Sequence, residues 1–145
     1  MGAIFFSQVS HPLDETIQGS DIASNDNIKR LKNKGAKIFR NHKKSNVKNI
    51  SAAVFSSAIS QSNPEIQQCK KLSIPLVSRA DMLAELMRGK NAIAISGSHG
   101  KTTTTSLVGT LLEHSNFDPT IINVGIIYSY SKNIRLGFGK WIVVE

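Results

Sequence analysis

The segment that most limits what this chain can become is residues 92–105. Ala92, Ile93, Ala94 and Ile95 form a compact apolar run that leads directly into Ser96-Gly97-Ser98-His99-Gly100-Lys101-Thr102-Thr103. Beyond it, Leu107, Val108, Leu111 and Leu112 recur at helical spacing up to about His114. A buried strand, a glycine turn and a helix in that order bring backbone N–H groups and the positive end of a helix to one point, where an anion is held. Gly97 and Gly100 allow close backbone approach, Lys101 supplies a cation for the outer phosphates, and Thr102 supplies a hydroxyl for Mg²⁺. Residues 96–103 are therefore expected to hold the phosphates of ATP. The spacing is a short variant, because the usual phosphate loop has four residues between its glycines and Gly97 and Gly100 have fewer. His99 either contacts nucleotide or substrate, or hydrogen-bonds within the loop.

The rest of the chain alternates short apolar runs with helix-like segments. Ile28 and Leu31 mark a helix over 27–34, which Gly35 would stop. Strands are expected at 36–39 and 52–55, the second apolar throughout as in a sheet covered on both faces. Asn63-Pro64 reads as an N-cap with proline at the first helical position, opening a helix to about Lys71. A brief strand follows at 74–77. Ser78, with Asp81 three residues on, caps a helix whose Leu83, Leu86 and Met87 line one face up to about Gly89. Further strands are expected at 120–122 and 141–144. This βαβα rhythm predicts parallel sheets with helices on both faces. The expected architecture is a Rossmann-like unit over 1–89 and the start of a phosphate-loop ATPase domain over 90–145. Because the final strand runs to Glu145, an open sheet edge with exposed apolar surface is expected there.

With 40% apolar and 19% charged residues, the chain has the composition of a globular protein, and no run approaches the roughly 20 apolar residues that span a bilayer. The apolar start at 1–9 has no basic residue ahead of it and no small-residue cleavage site, so a secretory leader is not expected. Cys69 is the one cysteine. It cannot form an internal disulfide and reads as a small helix residue in a reducing cytosol. The net charge is +8, and nine of the 18 basic residues fall within 29–48, while no acid occurs over 27–64. Such a patch attracts polyanions. It carries only Phe39 as an aromatic and matches no zinc-finger or RNA-recognition pattern. It reads as a solvated helix and loop, or as a surface that steers a phosphorylated small substrate; neither nucleic acid nor a membrane is an expected partner.

Several stretches together resemble the Mur ligases. They are Ser78-Arg79-Ala80-Asp81-Met82-Leu83-Ala84-Glu85-Leu86-Met87-Arg88, the loop Gly97-Ser98-His99-Gly100-Lys101-Thr102-Thr103-Thr104-Thr105, and the shorter Gly19-Ser20-Asp21, Ser56-Ser57-Ala58-Ile59 and Asn63-Pro64-Glu65. Asp118-Pro119-Thr120 and the approach to Trp141-Ile142-Val143-Val144-Glu145 follow the same plan. The likeness covers 19–145. It implies ATP-dependent amide formation, in which a carboxylate takes the γ-phosphoryl group and the resulting acyl phosphate is attacked by an amine. His99 stands where family members for later amino acids carry Asn, which implies UDP-N-acetylmuramate and L-alanine as substrates. The resemblance also implies Thr102 and Glu145 as Mg²⁺ ligands, Glu145 being the first residue of an acidic run in the family. On the nucleotide-sugar side it implies His42 and Ser57 as uridine-side contacts. Asp21 follows the expected second strand, where Rossmann-type sites place an acid on the ribose. A capping Asp, a surface His and a turn Ser are the plainer readings of these three.

Two departures from the family are visible. It opens with a strand and a glycine-rich diphosphate loop, whereas residues 1–18 contain only Gly2, and Pro12, Asp14 and Glu15 fall where an apolar helix is expected. The first strand and its loop are therefore expected to be missing or altered. Asn123-Val124-Gly125 stands for Asn-Gly-Gly. The fragment is expected to be inactive by itself, with a downstream fragment as a possible complement. The alternative is a non-catalytic ATP-binding or interaction module.

Overall fold

The computed structural model describes residues 4–9, 15–22, 26–127 and 132–145. In chain order the elements are β1 (Ile4–Val9), β2 (Glu15–Ser20), α1 (Asp26–Asn33), β3 (Lys37–Phe39), β4 (Ala52–Phe55), α2 (Pro64–Lys71), β5 (Leu76–Ser78), α3 (Arg79–Met87), β6 (Asn91–Ala94), α4 (Lys101–His114), β7 (Thr120–Ile127), β8 (Lys132–Arg135) and β9 (Trp141–Val144). A short 3₁₀ turn, Lys44–Asn46, lies between β3 and β4. The chain divides into two compact units, Met1–Leu83 and Ala84–Glu145.

Local signals start and stop these elements as the residues require. Asn63 caps α2 by accepting the Glu65 N–H at 2.8 Å, with Pro64 at the first position. Ser78 accepts the Asp81 N–H at 3.0 Å and opens α3. Gly35, at φ +90°, ends the turn after α1.

The first unit is a five-stranded sheet in the order β3-β2-β1-β4-β5. β2 and β3 are parallel, as are β4 and β5, and β1 runs antiparallel to both neighbours. Of the two expectations for the first strand, missing or altered, the second holds: Ile4–Val9 fills the central position, antiparallel to both neighbours, where β2 and β4 would otherwise each leave a row of backbone groups unpaired. Its direction follows from chain length. Five residues separate β1 from β2, and a parallel return needs a dozen or more. Glu15, expected within a helix, opens β2. Gly2, Pro12 and Asp14 lie outside the described residues. Val47, Ala53, Ile66 and Cys69 form this unit's core, with Phe55, Ile59, Ile74 and Leu76 packed against them.

The second unit is a four-stranded sheet in the order β6-β9-β7-β8. β9 pairs in parallel with both β6 and β7, and β8 closes antiparallel on β7. This overturns the expectation of an open edge after Glu145, because β9 is an interior strand and the edges are β6 and β8. The strand before the glycine loop also differs from its expected burial, since Asn91, Ala92 and Ala94 are exposed. Among the described residues, β6 pairs only with β9. Its apolar run reads as buried in sequence because periodicity does not tell an interior strand from an edge.

α4 turns an unexpected face inward. Thr105 and Gly109 are buried, while Leu107 and Leu111 are 61% and 68% exposed. Leu86 on α3 is likewise exposed. Small residues line the inward face of α4 because the helix lies close on β7. Ile121, Ile142, Val143 and Val144 form the core beneath it, and Phe117 meets Trp141 edge-to-face at 6.1 Å. No helix among the described residues is long and apolar enough to cross a membrane.

Candidate functional site

In the second unit, the glycine loop leaves the end of β6 and enters α4 through Gly100. Gly100 takes φ +73°, a left-handed conformation that β-carbons disfavour, and Gly97 takes φ +149°. Among the described residues no side chain caps the helix start, and no acid occupies its first turn. The Thr104 N–H bonds back to the Gly100 carbonyl, so the earlier N–H groups of α4 are the ones a helix start leaves for an anion. Lys101 folds back on the loop, its Nζ donating to the Gly97 carbonyl at 2.7 Å. Ser98, His99 and Thr103 are exposed. The turn is braced from within by Thr104 Oγ1, which donates to the Gly100 carbonyl at 2.9 Å, and by Ser106 Oγ, which donates to the Thr102 carbonyl at 2.7 Å.

Glu145 follows β9 between the two neighbouring strands, and its N–H donates to the Ile122 carbonyl at 3.1 Å. That register brings its carboxylate to the first turn of α4, where Oε1 accepts from Thr102 Oγ1 at 3.1 Å. Oε2 is buried and, among the described residues, has no hydrogen-bond partner. A buried carboxylate oxygen left unpaired beside a hydroxyl suits a hard cation. Among the described residues, no group of three or more His, Cys, Asp or Glu side chains could complete a metal shell. A cation here would take one carboxylate and one hydroxyl from the chain and the rest from water and phosphate oxygens, which is the habit of Mg²⁺.

Asn123, 1% exposed on β7, was noted in sequence only as part of an altered tripeptide. Its Nδ2 lies 3.4 Å from the Thr102 carbonyl and 3.3 Å from Ser106 Oγ, and its Oδ1 is buried without a partner among the described residues. It ties the first turn of α4 to the sheet. Arg135 on β8 pairs with Asp118 at 2.9 Å and Glu113 at 3.0 Å. The Phe138 N–H and the Arg135 guanidinium hold the Asp118 carboxyl below its ordinary value.

In the first unit, a cleft of about 300 Å³ is lined by Asp21, Ile22, His42, Ala58, Ile59, Ser60 and Asn63. Two of the three residues expected on the nucleotide-sugar side, Asp21 and His42, meet in it. Ser57 is exposed in the adjoining turn and does not line the cleft. Behind His42 lies a buried polar cluster that sequence did not single out. Glu65, 0% exposed, accepts from Ser20 Oγ at 2.6 Å, His42 Nδ1 at 2.8 Å and Asn46 Nδ2 at 2.7 Å. An acid in the first turn of a helix reads as a helix-dipole complement. The signal that could have marked it is its place as the first acid after the long basic stretch. The nine basic residues of 29–48 sit on α1, the turn after it, β3 and the following loop, nearly all exposed.

Residues 7–91 match the family described as Mur ligase family, catalytic domain. The chain belongs to the Mur ligase family. It is 50% identical over all 145 of its residues to the UDP-N-acetylmuramate–L-alanine ligases of Methylobacterium radiotolerans and Agrobacterium fabrum, and it spans 31% of the length of each. Among solved structures, it superposes on the UDP-N-acetylmuramate–alanine ligase of Thermotoga maritima with a TM-score of 0.78 and 27% identity, over 88% of this chain and 30% of that one. It shares the fold of the murein peptide ligase of Psychrobacter arcticus at a TM-score of 0.76 and 18% identity, over 90% of this chain and 32% of that one. The mixed α/β architecture is thus that of the corresponding part of Mur ligases. The family match ends ahead of the glycine loop, whereas the full-length relatives align across it.

Proposed function

We propose that this chain forms part of a ligase that joins L-alanine to UDP-N-acetylmuramate at the expense of ATP, in the cytoplasm. Residues 1–89 would bind the nucleotide sugar and residues 90–145 would begin the ATP-binding domain. The observation that carries the reading is the junction of the uncapped start of α4 with the Thr102–Glu145 pair, whose second carboxylate oxygen is unpaired. The 50% identity to ligases of that name supports the substrate assignment.

The chain's own residues would divide the work. Gly97, Ser98, His99, Gly100 and Thr103 shape the loop, and the first N–H groups of α4 bind phosphate oxygens. Lys101 releases the Gly97 carbonyl and swings its ammonium onto the outer phosphates, where its charge favours phosphoryl transfer. Thr102 and Glu145 would hold Mg²⁺, which supplies charge neutralisation on the transferring group. In the first unit, Asp21 and His42 would face the uridine portion, with Ser57 at its margin. Turnover is proposed only for an assembly that also supplies the rest of the relatives' length, such as this chain with a complementing downstream fragment.

Titration calorimetry of the chain with ATP, with and without Mg²⁺, tests the reading. Magnesium-dependent binding is expected, with Lys101→Ala weakening it roughly tenfold or more, the size of one lost charged hydrogen bond. Alanine-dependent phosphate release is expected to be absent from the chain by itself. ATP binding that ignores both Mg²⁺ and Lys101 would remove the basis for the site. Binding without turnover even when the downstream portion is supplied would favour a non-catalytic module.

A further inference from the structure

The buried carboxylate of Glu65 has no part in the phosphate loop or the Thr102–Glu145 pair. Three separate segments deliver groups to it at the second position of α2: Ser20 from the end of β2, His42 from the loop after β3 and Asn46 from the 3₁₀ turn. An ionised carboxylate only accepts hydrogen bonds, so each neighbour must present a hydrogen. Asn46 does so to Oε1 through its amide at 2.7 Å. Ser20 gives its single hydroxyl hydrogen to Oε2 at 2.6 Å. His42 Nδ1 lies 2.8 Å from the same Oε2 and 2.9 Å from Ser20 Oγ, both of which have lone pairs to offer. A bare lone pair on Nδ1 would face two oxygens with no hydrogen left between them. Nδ1 therefore carries the hydrogen, and Nε2 is the ring nitrogen left to serve the cleft that His42 lines.

We propose that Glu65 is a positioning residue: it holds His42 as the Nδ1–H tautomer and fixes the ring so that Nε2 presents a set hydrogen-bonding group to the nucleoside part of a nucleotide sugar. This inference rests on the reading of the Asp21–His42 cleft given above. The arrangement parallels the carboxylate–imidazole pairs that orient histidines at metal centres, where the partner on one nitrogen decides what the other does. Ser20 and Asn46 complete the carboxylate's hydrogen bonds, so that it can be buried without an unpaired oxygen.

The experiment uses the full 145-residue chain with ¹⁵N-labelled histidine. Long-range ¹H–¹⁵N spectra are expected to show His42 protonated at Nδ1. E65Q, whose amide must turn an N–H toward either His42 or Asn46, is expected to shift His42 toward the other tautomer. It is also expected to weaken binding of UDP-N-acetylmuramate and of UDP roughly tenfold or more. S20A keeps the Glu65–His42 contact and is expected to lose less. If Glu65 acts through His42, the double variant E65Q/H42A binds no more weakly than H42A. Nδ1 without a hydrogen in the unaltered chain overturns the proposal and needs no variant to be made. Full affinity in a folded E65Q, or losses that simply add in the double variant, overturn it too. If the unaltered chain binds neither UDP nor UDP-N-acetylmuramate, the nucleotide-sugar reading of the cleft fails and takes the ligand half with it, while the tautomer measurement still decides the coupling of Glu65 to His42.

Discussion

Replacing Gly109 with alanine sets two effects against each other, and the structure says which one wins. In an exposed helix interior the change stabilises by about 0.5–1 kcal/mol, because glycine loses more backbone freedom on folding. Gly109 is instead buried where α4 lies on β7, and a β-carbon there would sit 3.0 Å from Cγ1 of Ile121 and closer still to Cδ1. Carbon atoms pack best at roughly 3.5–4.0 Å. Ile121 is 0% exposed, so it has nowhere open to retreat. Inserting a methyl group into such a contact costs about 1–3 kcal/mol. Taking the middle of each range, the net expectation is a loss of roughly 1 kcal/mol. For a unit of this size that lowers the melting temperature by about 4–8 °C per kcal/mol. α4 would also be lifted from the strand that carries Asn123, so Mg-ATP binding should weaken in parallel. Thermal melting of Gly109→Ala, Ile121→Val and the double variant reads this directly. Ile121→Val alone should cost about 0.5–1.5 kcal/mol, and in the Gly109→Ala background it should restore stability by removing Cδ1. A Gly109→Ala chain as stable as the unaltered one, or a double variant no better than the sum of the singles, would refute the packing argument.

Glu145→Gln should leave metal-free ATP affinity near its starting value and erase most of the gain from Mg²⁺; an unchanged Mg²⁺ dependence would mean that the unpaired oxygen is not a ligand. Cys69 is fully buried, and burial, with the negative charge of Glu65 second, pushes its thiol up to about 11. At pH 8 it should therefore carry roughly a hundredfold less thiolate than in urea, and a disulfide reagent should label it correspondingly slowly until the chain unfolds. Equal labelling rates in the two conditions would show that the site is open. Asp118 behaves oppositely: the Phe138 N–H first, then Arg135, lowers its pKa. Its contribution is present above the unfolded value near 4 and is lost as pH falls through the lower folded value. Amide exchange at Phe138 should accelerate in that acid window, and Asp118→Asn should remove the pH step; an unaltered step would assign it to another group.

What was legible in the residues was mostly local. Asn63-Pro64 announced α2, and Ser78 with Asp81 announced α3, because a cap is decided by groups within three positions of each other. The strand–glycine–lysine–threonine order marked the turn between β6 and α4 for the same reason. β8 and β1 went unread. β8 has no signal of its own and exists as a strand because β7 offers an unpaired edge.

By itself, the sequence determined the α/β class and the turn at residues 96–103, which rest on short-range spacing, and it carried the resemblance to the Mur ligases. Only the tertiary structure decided which strands are edges, that β1 runs against its neighbours, and that the inward face of α4 is made of Thr105 and Gly109 and leaves Leu107 and Leu111 outside. It brought Glu145 to 3.1 Å from Thr102 across 43 positions of chain, a pairing that only the resemblance had implied, and it alone gathered Ser20, His42 and Asn46 around Glu65. The physical reason is range. Caps and turns are settled by neighbours along the chain, whereas the partner of a buried carboxylate and the covered face of a helix are settled by what the sheet brings alongside.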